Sequence, residues 1–180
     1  MSTTLDDYLK LCERENGGVE QIVAAELCKI DQTTVTITDR EITAIAMNSG
    51  EQAYSWTPDI EMAKFDDNGT GNRENNSYFR PHVGFVKFND DADTTAMIDE
   101  NAGRSTGLVF FVKYAVPAGG TTKWKAFGFV NGMTVTTSES GTGQTFEDGR
   151  NHTLNFEGKE LTRALSIDAA LVSALLTPVS

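Results

Sequence analysis

Cationic side chains, cysteine, histidine and long apolar runs are all scarce in this sequence, and each scarcity removes a class of function. Against 26 Asp and Glu stand 15 Lys and Arg, a formal net charge of −11. Nothing in that balance offsets the phosphate charge of a bound nucleic acid. The acidity serves solubility and suits a surface that does not adhere to nucleic acid. The two cysteines, Cys12 and Cys28, have no C-x-x-C spacing and no neighbouring histidine. Neither a disulfide framework nor a zinc site is expected, and the reading is two reduced thiols made in a reducing cytoplasm. No run approaches the roughly 18 apolar residues that cross a bilayer, so no membrane span is expected. The opening M-S-T-T-L-D-D-Y-L-K lacks the basic and apolar regions of a signal peptide, and none is expected.

Only two histidines occur, His82 and His152, both in strand-like runs and neither near a G-x-S-x-G or H-E-x-x-H pattern. Each reads as a strand residue whose ring is hydrogen-bonded or faces solvent. Asn89, Asp91, Asp93 and Glu100 fall at positions 1, 3, 5 and 12 of an EF-hand-like loop. Position 1 is Asn, however, and position 6 is Thr94 where the turn wants Gly, so helix capping accounts better for these carboxylates. Gly141 and Gly143 lack the Lys-Ser/Thr of a phosphate loop. No carboxylate pair stands out for glycoside hydrolysis. The sequence therefore predicts no catalytic residue, no metal and no cofactor, and the chain reads as non-enzymatic.

What is present is β-sheet patterning. With 180 residues, ten Phe and 39% hydrophobic residues, one domain with a real core is expected. The fold class is mainly β: a two-sheet β-sandwich or barrel with one flanking α-helix at about 91–101 and a short C-terminal helix or arm. The single domain, 1–180, has an N-terminal arm at 1–18, a long exposed loop at 66–77 and a C-terminal extension at 161–180. Strands are read at 19–27, 33–38, 41–47, 51–57, 60–65, 78–88 and 108–116, the last being the most apolar run and a central strand. Asp39-Arg40 and Asn48-Ser49-Gly50 break the early ones. Asp90, Asp91 and Asp93 crowd the start of the flanking helix, where carboxylates meet free N–H groups. Toward the end, Ile167, Ala170, Leu171 and Ala174 recur at helical spacing, with Ser166 as a candidate cap and Pro178 as the stop. That helix buries its apolar face on its own sheet or on another subunit.

Residues 123–160 form three short alternating runs separated by two polar, glycine-bearing breaks. The first break, Asn131-Gly132, is the strongest short hairpin signal and predicts a type I′ turn. The second, 138–151, is long for a hairpin and carries Gly141, Gly143 and Gly149.

The aromatic strand ending in G-x-x-N-G-M (Gly128, Asn131, Gly132, Met133), the V-T-T-S-E-S-G-T-G run and the acidic turn Glu147, Asp148, Gly149 lead into H-T-L-N-F-E-G-K-E. This pattern resembles the C-terminal part of tail tube-like virion proteins of bacteriophages infecting Bacteroidetes. The opening C-E-R-E-N-G-G-V (Cys12, Gly17, Gly18, Val19) is similar to the start of such proteins. The matches cover about a third of the chain. The resemblance implies a two-sheet sandwich whose subunits form rings, commonly hexameric, by joining inner sheets, the rings stacking into a tube. Its partners would be further copies of itself and other tail or neck proteins, with DNA passing an acidic lumen without specific binding. It further implies residence in the virion, assembled in the host bacterial cytoplasm. The inter-ring loop would be Asp66, Asp67, Asn68, Arg73, Glu74 and Asn75, ordered on assembly. Ser140, Gly141, Thr142 and Gly143 read as a second contact loop, and Ile167, Leu171 and Leu175 as a C-terminal contact. The alternative is a sandwich-type binding or decoration module, glycan-binding and head- or fibre-associated, stacking ligands on Tyr54, Trp56 and Trp124.

Overall fold

The computed structural model describes residues 18–58, 61–68, 70–72, 77–89, 95–97, 106–115, 123–141 and 151–178. The strands in chain order are β1 (Val19–Glu26), β2 (Thr36–Thr38), β3 (Glu41–Ala44), β4 (Tyr54–Trp56), β5 (Ala63–Asp67) and β6 (Thr70–Asn72). They continue with β7 (Ser77–Asn89), β8 (Leu108–Tyr114), β9 (Trp124–Phe127), β10 (Thr134–Gly141), β11 (Asn151–Glu160) and β12 (Leu165–Ile167), and α1 (Ala169–Leu175) follows. A seven-stranded sheet runs β2-β3-β12-β9-β8-β1-β4, and a five-stranded sheet runs β10-β11-β7-β5 with β6 paired to the start of β7. The protein is mainly β, and its described residues build two sheets with no closed barrel and a short C-terminal helix.

Burial on both faces explains why β8 reads L-V-F-F-V without alternation. Leu108, Phe110 and Val112 face the five-stranded sheet, while Val109 and Phe111 face the other way. β1 divides likewise, with Ile22 and Ala24 on the first side and Val23 and Ala25 on the second. The seven-stranded sheet is thus a middle layer. Its far face is covered by Val172 and Leu175 of α1 and by Ile30, Ile45, Met47 and Ala53. Between the sheets Phe110 lies 4.6 Å from Phe156 and 5.2 Å from Phe65, centroid to centroid. Each fully buried ring contributes roughly 2–3 kcal/mol.

Several expectations change at this level. Ser166 and Ile167 belong to β12, not to the helix. Leu165 and Ile167 point into the core, and Asp168 caps α1 by accepting from the Ala170 N–H at 2.7 Å. The stretch read as a C-terminal extension supplies an interior strand and a covering helix. In the stretch read as a loop at 66–77, Asp66 and Asp67 close β5, and β6 pairs back on β7. Asp39-Arg40 is a two-residue turn joining β2 to β3, with φ of 48° and 66°. Of the flanking helix, residues 95–97 are helical and the rest lies outside the described residues, as does the arm up to residue 17.

Candidate functional site

The Asn131-Gly132 dipeptide is not a hairpin turn. β9 belongs to the seven-stranded sheet and β10 to the five-stranded one, so 128–133 carries the chain across the sandwich. Gly132 donates its N–H to the Gly128 carbonyl at 3.1 Å, and both glycines take positive φ, 67° and 80°. Leu108 and Met133 exchange N–H···O bonds at 2.7 and 2.8 Å. The turn is wedged between two backbones: a Cβ on Gly107 would meet the Gly132 Cα at 2.8 Å, and one on Gly158 would meet the Gly132 carbonyl oxygen at 2.6 Å.

Three polar side chains of the five-stranded sheet hold the backbone of this crossover and of the next one, 161–164. Glu160, 1% exposed, accepts through Oε1 from the N–H groups of Val130 at 3.1 Å and Asn131 at 2.9 Å. Asn131 returns a bond from Nδ2 to the Lys159 carbonyl at 2.7 Å. Asp67 accepts from the Ala164 N–H at 2.9 Å. His82, 2% exposed, spans both crossovers: Nδ1 accepts from the Gly128 N–H and Nε2 meets the Thr162 carbonyl, each at 3.0 Å. Those partners fix the tautomer, because a carbonyl can only accept and an N–H only donate. Burial pushes the His82 imidazole below its ordinary value; the Thr162 bond and the carboxylates of Glu160 and Asp67 oppose the shift, and Arg80 adds to it.

Through these bonds His82, Glu160 and Asp67 hold backbone groups of both crossovers in place. Both His82 nitrogens are engaged with backbone, and Glu160 Oε2 is buried with no hydrogen-bond partner among the described residues. No group of His, Cys, Asp and Glu among the described residues is arranged to hold a metal. His82 is the hydrogen-bonded strand residue that the sequence allows, but it is also buried, and the sequence gives no expectation for Glu160. The available signal was their in-phase position with Gly84, Val86, Leu154 and Phe156 on the inward faces of β7 and β11.

The predicted contact residues fall in different places. Asp66 and Asp67 are strand residues, with Asp66 facing outward in a pair with Lys64 at 2.7 Å and Asp67 clamping Ala164. Asn68 follows β5 and is exposed, while Arg73, Glu74 and Asn75 lie outside the described residues. Ser140 and Gly141 close β10 opposite His152 and Asn151, and Thr142 and Gly143 lie outside the described residues. Ile167 and Leu175 are buried in the chain's own core and Leu171 packs against it. They therefore offer little surface to another subunit, because the sheet beside them needs that apolar cover. Trp124 is buried, and Trp56 is half-buried against Phe88, Phe110 and Phe156. Of the three aromatics read as a stacking surface, only Tyr54 is exposed.

The remaining surface of note is the five-stranded sheet. β10 is its edge, eight residues long and exposed except at half-buried Val135. β5 is the opposite edge. The outward face carries Glu139, Glu157 and Asp66 among Lys64, Lys87 and Lys159, with half-buried Val83 and Phe85 between. Among the described residues no helix is long and apolar enough to cross a membrane. Comparison with family models, curated proteins and solved structures gives no match to this chain.

Proposed function

We propose that this chain is a non-enzymatic structural subunit of a virion, most simply a phage tail tube protein that assembles with its own copies into stacked rings. The observation that carries the reading is the pair of edges that the five-stranded sheet shows among the described strands, β10 and β5. An exposed edge is a row of unpaired backbone donors and acceptors, which sheet proteins ordinarily blunt. Pairing β10 of one copy with β5 of the next is heterologous, so it propagates around a ring. The resemblance of 124–160 to tail tube-like proteins supports the same assignment. On the outward face of this sheet the described acidic and basic side chains balance. An acidic bore would therefore draw on acidic side chains outside this face. The binding-module reading loses support because Trp124 is buried and Trp56 is half-buried against Phe88, Phe110 and Phe156.

Electron microscopy of the concentrated protein tests the assignment. Rings or tubes are expected; a particle that stays monomeric at every concentration, with none of these assemblies, overturns it.

A further inference from the structure

Two crossovers, 128–133 and 161–164, are bridged by one imidazole, and the bridge works in only one protonation state. We infer that His82 is an acid-operated latch between the sheets: a proton on Nδ1 turns the acceptor that holds Gly128 into a donor, and the two crossovers come apart. This goes beyond the assembly reading and does not depend on it.

In the neutral ring Nδ1 accepts from the Gly128 N–H and Nε2 donates to the Thr162 carbonyl. An imidazolium carries two N–H groups and no acceptor. The Gly128 N–H then faces another N–H in a site from which solvent is shut out, and both are left unsatisfied together with a buried charge. Gly128 has little room to swing aside, since a Cβ there would meet Met133 Cγ at 2.5 Å and the Leu108 carbonyl oxygen at 3.0 Å. The 5.5 Å edge-on contact with Phe127 fixes the ring on its other side.

The charged groups around the ring define the open state. Glu160 on β11 and Asp67 on β5 favour the cation, and Arg80 on β7 itself opposes it. Tyr114, beside Asp67 and Asp66, has its hydroxyl pushed up to about 12 by burial and those two carboxylates, so it adds no charge in acid. Two carboxylates are thus in place to accept an imidazolium once the backbone contacts yield. The sign follows from burial lowering the folded-state value. Below the ordinary imidazole pKa of about 6.5 the unfolded chain binds the proton first. Stability is full above that value and falls as pH drops toward the lower, folded-state value.

The test follows the intact chain from about pH 7.5 to about pH 5, the window in which histidine titrates. Thermal midpoints are measured for the native protein, His82→Gln and His152→Gln; Gln keeps an acceptor and a donor without titrating. The native protein and His152→Gln are expected to lose midpoint as pH falls, while His82→Gln stays level. Amide exchange, corrected for its intrinsic pH dependence, is expected to rise roughly tenfold at 128–133 and 161–164 relative to β8. Should His82→Gln fail to fold, ring-nitrogen NMR of the native protein decides. The neutral ring is expected as the Nε2–H tautomer, protonating in step with the exchange. An unchanged slope in His82→Gln, a slope abolished in His152→Gln, or a ring that protonates without opening the crossovers overturns the latch.

Discussion

Gly107 and Gly132 meet backbone against backbone, so closely that a Cβ built on Gly132 would lie 2.6 Å from the Gly107 Cα. Gly132 also holds φ at 80°, a region L side chains rarely adopt. Both facts oppose the smallest side chain. Gly132→Ala is expected to destabilise the fold by about 3 kcal/mol, combining overpacking with backbone strain. Urea unfolding measures it, and an unchanged midpoint would mean the crossover does not run between those two backbones.

The turn from β2 to β3 points the other way. Asp39 and Arg40 both sit at positive φ without being glycine or asparagine. Arg40→Gly removes the steric cost of that conformation, partly offset by the extra freedom it gives the unfolded chain. A net gain of roughly 0.5–1 kcal/mol is expected in chemical denaturation. A loss instead would place the Arg40 side chain in a contact that matters more than the strain.

Glu160 separates charge from hydrogen bonding. Glu160→Ala leaves the N–H groups of Val130 and Asn131 without their acceptor and opens a void, at a cost of about 3 kcal/mol. Glu160→Gln keeps one oxygen where Oε1 stands and is expected to cost less than the alanine. Equal losses for the two would show that the charge, and not the pair of bonds, holds the turn.

The β10 edge predicts a split between folding and assembly. Deleting Ser140 to Gly143, or placing lysine at exposed Ser138, removes pairing capacity from the edge without touching the core. Melting temperature is expected to stay within a few degrees, because surface changes rarely exceed about 0.5 kcal/mol. Rings and tubes are expected to be lost. Normal tubes from both variants would move the subunit contact elsewhere.

How much was legible depended on whether a residue's neighbours lie close in the chain. β8 was plain, because a strand covered on both faces is apolar throughout. β1 was legible too, as the strand read at 19–27. Asn131-Gly132 misled because a glycine at positive φ serves an i to i+4 turn between sheets as well as a hairpin within one. Ser166 misled because it stands before helically spaced apolar residues, while Asp168 does the capping. Asp39-Arg40 was seen as a break and not as a tight turn, since neither residue advertises positive φ. Of the clamp of Asp67, His82 and Glu160, the inward phase of His82 and Glu160 was the one legible trace: its members are brought together only by sheet register, and the backbone groups they hold have no signature in side-chain pattern.

β12 lies between β3 and β9, parallel to the first and antiparallel to the second. Among the described strands, β3 otherwise pairs only with β2. During synthesis, then, the early β2–β3 turn has no neighbour in its sheet until residues 165–167 clear the ribosome. Among the described strands, the hairpin made early therefore joins the rest of the seven-stranded sheet only through β12, more than 100 residues later in the chain.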